Sequence, residues 1–261
     1  MRVITQSILL VTGLVWVAAG GPQGQGQEPA TKASQTNLPP ASEVIARYLK
    51  AMGGREAFLK HSSQSAKGKF EFQGQGIKGT MEVVAGKPDK MILTIKLPGL
   101  GDMISGYDGK FGFSMSAVTG PMLLEGKALD HMREQSDFYH VLHDPAKYKS
   151  IETVATVQFE GQECHQIKLV KLSGDESMEY FDIKTGLMIG TTGPQPSPLG
   201  TITVTTVVSD YKKFDDVLIA TKVVEKMGGL QQMMSLEAVE FDKVPAEAFD
   251  LPPAIKALTE K

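Results

Sequence analysis

Cysteine and tryptophan are nearly missing from this chain: Cys164 is its only thiol and Trp16 its only indole among 261 residues. A lone cysteine excludes an internal disulfide, so an apolar core has to hold the fold together. Basic residues are neither abundant nor clustered. The 27 Lys and Arg stand against 30 Asp and Glu, a formal charge of −3, which lacks the electrostatic footprint of a nucleic-acid binder. The metalloprotease pattern H-E-x-x-H does not occur, and no motif calls for a cofactor. An apolar run does occur, from Ile8 to Ala19, but it is shorter than the roughly 20 residues of a comfortable membrane span.

That run has a different reading. It follows Met1-Arg2 and closes on Ala18-Ala19-Gly20, the basic start, apolar centre and small-residue exit of a secretory signal peptide. Residues 1–20 are therefore expected to be cleaved, with no cysteine beside the exit to carry a lipid anchor. Residues 21–40, rich in Gly, Gln and Pro, read as a disordered tether. Residues 41–261 then form one domain with enough chain for a substantial core.

Inside that domain the period of apolar residues changes. Ser42 is placed to cap a helix over Glu43–Met52, with Gly53-Gly54 ending it. A short helical turn covers Ala57, Phe58 and Leu59. Alternation then takes over: Phe70 and Phe72; Ile77, Met81 and Val83; Met91, Leu93, Ile95 and Leu97; Phe111, Phe113 and Met115. A helix is expected from about Glu125 to His143. Strands resume through Ile151–Phe159, His165–Leu169, Met178–Ile183 and Leu187–Thr192. After a proline-rich loop, GPQPSPLG, three long strands close the chain: Thr201–Tyr211, Val217–Met227 and Leu230–Phe241. Helices do not alternate with strands, which excludes a parallel α/β fold. The reading is an α+β fold: a large, curled, mostly antiparallel sheet of about 10–11 strands, an open half-barrel, with two or three helices on its concave side.

Chemical motifs were weighed against plainer readings. SDFYHVLHDP (residues 136–145) holds His140 and His143 beside Asp144. On a wheel at 100° per residue, His131 falls with the apolar sector and nearly opposite His140. Three histidines on one straight helix therefore do not converge, and Pro145 forces the helix to end. The expectation is no metal site: the segment is the solvated end of an amphipathic helix, its histidines near the helix C-terminus. GQGIKG (Gly74–Gly79) matches G-x-G-x-x-G but continues as a strand, so it reads as a hairpin turn. GFSMS (Gly112–Ser116) lacks the final glycine of a nucleophile elbow. Cys164 and His165 are neighbours in a strand and so point to opposite faces, with Cys164 expected on the wetter one. Asp215-Asp216 reads as a turn. No catalytic residue is assigned. What is abundant is methionine, 13 in all, a residue over-used on surfaces that accept varied apolar ligands.

Several pieces taken in order, YLKAMGG, YDGKFGFSMSAVTGPMLLEG, SDFYHVLHDPAKY, EYFDIKTGLMIG, SDYKKFDDVLIATKV and FDKVPAEAFDLP, resemble the LolA/LolB-like superfamily of periplasmic lipoprotein carriers, in particular its outer-membrane lipoprotein-sorting-like branch. The resemblance spans most of residues 41–253. It implies a half-barrel whose concave side takes acyl chains, a periplasmic location, and lipids or lipoproteins as partners. An envelope protein would serve as donor or acceptor, and membrane contact would be transient. The chain lacks an assignable lid arginine. The expected cavity lining is Met81, Val83, Leu93, Ile95, Phe111, Phe113 and Met115, with Phe138 and Leu142 from the covering helix, in a monomer without metal or cofactor. Three functions stay open: a lipid or lipoprotein carrier, a non-catalytic interaction or sensor domain, and a periplasmic hydrolase.

Overall fold

The computed structural model describes residues 38–197 and 200–260. The expected leader and nearly all of the expected tether lie outside the described residues. The first helix, α1 (Ala41–Ala51), starts just before Ser42. Pro40 occupies the N-cap with φ −54°, and no side chain caps the helix. Its buried residues Ala41, Val44 and Tyr48 recur at helical spacing. Gly53 and Gly54 end it at φ 118° and 95°, backbone that only glycine adopts cheaply. The short α2 (Arg55–Leu59) follows.

Six strands come next: β1 (Ser63–Phe72), β2 (Ile77–Gly86), β3 (Lys90–Leu97), β4 (Gly101–Tyr107), β5 (Gly112–Ser116) and β6 (Gly120–Leu123). After α3 (Gly126–Gln135) and the 3-10 turns His140–Leu142 and Pro145–Lys147, seven more follow. They are β7 (Tyr148–Phe159), β8 (Gln162–Lys171), β9 (Glu176–Asp182), β10 (Met188–Ser197), β11 (Gly200–Phe214), β12 (Val217–Met227) and β13 (Leu230–Phe241). A 3-10 turn, Ala246–Phe249, and α4 (Pro253–Thr259) follow as the last elements of the described residues.

The 13 strands of the described residues make one antiparallel sheet in the order β6-β5-β4-β3-β2-β1-β13-β12-β11-β10-β9-β8-β7. The sheet is curled and not closed into a barrel, with β6 and β7 at its edges. It consists of two meanders joined where β1 pairs with β13. The chain crosses from one edge to the other through α3 and the two 3-10 turns, a segment we call the strap. The strand count exceeds the expected 10–11 because β4 and β6 are short and contain Gly101, Gly106, Gly120 and Pro121 in place of clean alternation. The expected loop GPQPSPLG is instead largely the end of β10. Its Pro194 and Pro196 pair with β11, past Thr192, where pairing with β9 stops. A proline on an unpaired side loses no ladder hydrogen bond.

The two faces of the sheet are both partly covered. On the inner face a large apolar cluster joins α1 (Val44, Tyr48) and its C-cap Met52, the strap (Met132, Phe138, Val141, Leu142) and strand residues such as Phe70, Met81, Val83, Leu93, Ile95, Ile167, Phe181 and Val223. On the outer face Ile92, Phe113 and Ile255 form a second cluster, with Val84, Ile104, Met115, Leu123 and Leu251 against it. Here α4 folds onto the back of β3–β5, an outer cover that the sequence reading did not assign.

Candidate functional site

The strap is not the single helix that was expected. Ser136 Oγ donates to the Met132 carbonyl at 2.8 Å, and α3 stops at Gln135. The Phe138 N–H then donates to the Pro88 carbonyl at 3.0 Å, while the ring of Phe138 is fully buried. Tertiary anchoring turns the chain, so angles on a helical wheel carry no meaning beyond Gln135. His143 takes a left-handed backbone, φ 49°, and is buried. The expectation of a solvated His143 at a helix end is therefore corrected, as is the inference that the three histidines diverge.

Under the strap, on the inner face of β8–β11, lies a cavity of about 410 Å³. His131, His140 and His143 all border it. Apolar walls come from Val141, Leu169, Met188 and Val204, and polar ones from Glu179, Thr191, Thr192 and Gln195. Ion pairs tie the strap to β8 and β9 around this space, Glu134 with Lys171 and His143 with Glu179, and Asp137 with Lys147 links two parts of the strap itself. On the opposite side, Tyr139 Oη donates to the His61 carbonyl at 2.9 Å.

The hydrogen bonds assign the histidine protons. His143 Nδ1 faces the Val141 carbonyl and Nε2 faces Glu179 Oε2, both at 2.7 Å. The Val141 carbonyl can only accept, so Nδ1 donates to it, and an ionised Glu179 beside Nε2 favours the doubly protonated ring. Burial alone would lower its pKa, but Glu179 and the Val141 carbonyl together raise it. His140 donates from Nδ1 to the Asp137 carbonyl at 2.9 Å. Burial lowers its pKa despite Asp137. His131 accepts at Nε2 from Gln135 Nε2 at 2.9 Å. Its pKa is lowered to about 4 by burial and by Lys171. Tyr148 is pushed upward by burial and by Glu179.

Among the described residues, no group of three or more His, Cys, Asp or Glu side chains could hold a metal ion. Nor does any described cavity hydroxyl hydrogen-bond to one of these histidines, so no nucleophile–base pair is set up. Cys164 is buried, not on a wetter face. Burial and Asp182 raise its pKa to about 12, which leaves the thiol unreactive.

The residues expected to line a cavity fall into three places. Met81, Val83, Leu93 and Ile95 share the inner face with Phe138 and Leu142, all within one packed cluster. Phe113 and Met115 belong to the outer cluster under α4; in register, Phe113 stands in line with Ile92 through Gly106, and Ser114 with Leu93 through Ser105. The grouping of Phe113 and Met115 with Leu93 is therefore corrected. Phe111 precedes β5, with the Lys110 ammonium 4.6 Å from its ring centroid. None of these residues borders the 410 Å³ cavity.

A row of inner-face residues that the sequence reading missed crosses the sheet: Ile167, Glu179, Thr191, Thr206, Glu225, Gln232 and Phe72, each paired to the next. Glu179 and Thr191 border the cavity. Glu225 is completely buried, and its pKa is raised to about 8 by that burial, with Gln232 opposing. The signal was available: in β12 the phase Val217, Ile219, Thr221, Val223, Glu225, Met227 is apolar apart from a threonine and one carboxylate.

Comparison with solved structures places the architecture. A DUF1329 family protein from Desulfovibrio piger superposes with a TM-score of 0.57 at 8% identity, covering 82% of this chain and 98% of that one. A LolA superfamily protein from Nitrosomonas europaea gives 0.53 at 11% identity, covering 82% and 99%. This chain shares its fold with these two proteins. An outer membrane lipoprotein-sorting protein domain from Vibrio parahaemolyticus gives 0.51 at 10% identity, covering 85% and 100%. No family model and no curated protein matches the sequence. At these identities the LolA-like likeness concerns architecture alone.

Proposed function

We propose that the protein is an exported carrier that holds the apolar chain of an amphipathic ligand, a lipid or an acylated protein, between the strap and β8–β11. The observation that carries the reading is the cavity itself. Its volume, about 410 Å³, falls in the range of small-molecule sites. Apolar walls beside a rim of fixed ion pairs suit a ligand that is greasy at one end and polar at the other. The shared LolA-like fold supports a carrier at the level of architecture. No helix of the described residues is long and apolar enough to cross a membrane. Export, with cleavage of the leader, is part of the proposal and is tested by the intact mass of the secreted product, which should begin between Gly20 and Gln27.

Binding is read by displacement of an environment-sensitive dye and by native mass spectrometry, using fatty acids of increasing length. Each buried methylene should add up to about 0.8 kcal/mol, until the cavity is full. Thr191→Trp, which places an indole in the cavity from β10, should block binding while circular dichroism stays unchanged. If folded protein takes up no acyl compound of any length, the carrier reading fails and an interaction domain on the same fold replaces it.

A further inference from the structure

Under the strap the charges come in matched pairs. Lys171 holds Glu134, Lys147 holds Asp137 and His143 holds Glu179, and all of them border the cavity. The two other charges on its border, Asp89 and Arg133, are opposite in sign, and Arg133 is bonded to Asp130. A charged head group entering this space would be desolvated without a counter-charge of its own, which is costly.

Two atoms on the border of the cavity have fixed roles and no partner. His140 Nδ1 donates to the Asp137 carbonyl and burial keeps the ring neutral, so Nε2 offers only a lone pair. Glu179 gives Oε2 to His143 and keeps Oε1, also an acceptor. Both residues border the cavity. Neither His140 Nε2 nor Glu179 Oε1 has a hydrogen-bond partner among the described residues, and neither is among the atoms sealed from solvent. Glu179 acts electrostatically on both His140 and Tyr148, so these polar ends lie near one another. The hydroxyls of Tyr148 and of Thr191, which pairs with Glu179 across β9 and β10, border the same space and can either donate or accept.

A ligand that displaces water from such acceptors has to replace its hydrogen bonds or lose affinity. An ester and a carboxylate bring no donor, and a carboxylate would also face the Glu179 charge. An ammonium brings donors, but with a charge for which the pairs under the strap leave no partner. A hydroxyl gives its proton to an acceptor, takes one from Tyr148 or Thr191, and stays neutral. We propose that His140 and Glu179 form a head-group site at the polar side of the cavity, selecting uncharged lipids that carry a hydroxyl. The proposal rests on the carrier reading and adds a chemical class to it.

The test uses ligands of one chain length, dodecan-1-ol, methyl dodecanoate, dodecanoate and dodecylammonium, in dye displacement on the folded protein. Wild type should bind the alcohol at least about tenfold more tightly than each of the others, the worth of one hydrogen bond to a charged acceptor. Glu179→Gln keeps the size of the side chain, and its amide can accept from His143 while showing an N–H to the cavity. His140→Phe keeps a ring and removes the lone pair. In each variant the preference for the alcohol over the methyl ester should shrink at least about threefold. Circular dichroism checks the fold, and if one variant does not fold the other decides. Equal binding of alcohol and ester by wild type, or tighter binding of dodecanoate or dodecylammonium, would leave the carrier reading standing and overturn the hydroxyl site. A preference that does not shrink in a folded variant would overturn it too. If wild type binds none of these compounds, the carrier reading falls first and the hydroxyl site with it.

Discussion

Glu225 enters the folded state as an acid whose pKa is raised from 4.5 to about 8. Below pH 4.5 folded and unfolded chains both hold the proton, and this group adds no pH dependence. Between 4.5 and about 8 only the folded chain holds it, so its contribution to stability falls as pH rises. Where the two states differ by a full proton the slope is about 1.4 kcal/mol per pH unit. Glu225→Gln should remove that slope, so urea midpoints of wild type and variant should diverge in favour of the variant from pH 5 to pH 8. Parallel curves would show that Glu225 is not the buried acid described. Phe113 makes a second residue-level case. Its alternation with Gly112 and Ser114 was legible in the sequence, but alternation says only that two faces differ, not which one is inner. The side is set by α4, whose Ile255 meets Phe113 on the outer face. Phe113→Ala should cost about 3–5 kcal/mol in thermal or urea unfolding while leaving acyl binding by the remaining folded protein intact.

At the scale of elements, strands with clear period-two patterns were read from sequence, whereas β4, β6 and the end of β10 were hidden by glycine and proline. The strap was misread for a different reason. Its apolar spacing suits a helix, but Phe138 is drawn to Pro88 and into the core, and tertiary packing outweighs local propensity. The cavity was illegible for the same reason, since it exists only where the bent strap crosses β8–β11. His143 is the strap's buried tie to β9. Removing the ring strands Glu179, whose side chain keeps 16% exposure. The loss in His143→Ala should therefore sit near the lower end of the buried-pair range, about 3 kcal/mol. The raised His143 pKa fixes the sign of the pH effect. The pair's contribution is complete below pH 6.5 and is lost as pH rises through the higher folded value. The penalty of His143→Ala should thus be largest near pH 6 and shrink on alkalinisation, with faster amide exchange at Phe138 and Leu142. A penalty that grows with pH would contradict a charged His143.

The whole molecule depends on one seam. Two meanders, β1–β6 and β7–β13, are formed by neighbours in sequence, and the strap links their far edges. Only β1 pairing with β13 makes them one sheet, and this contact joins segments from opposite ends of the domain. Such non-local pairing is costly to close, so its geometry has to be exact where the chains come nearest. That place is Gly68. The register shifts between Lys67 and Gly68, and a Cβ on Gly68 would lie 2.1 Å from the Ser235 carbonyl oxygen and 3.0 Å from Leu236 Cα. Those are backbone atoms of the partner strand, so no side chain can swing away to relieve the overlap. Gly68→Val should therefore push β13 off β1 and cost more than about 4 kcal/mol, in the range reserved for disrupted cores and strained backbone. Lys69→Val, one residue on, changes a side chain on the exposed face whose ion pair to Glu237 is open to solvent. It should leave the unfolding midpoint where it is. The comparison is made by circular dichroism melts of the two variants with wild type. Gly68→Val should lose its cooperative transition or unfold at a much lower temperature, while Lys69→Val follows wild type. A Gly68→Val protein that melts as wild type would mean that the two meanders are not joined at this seam.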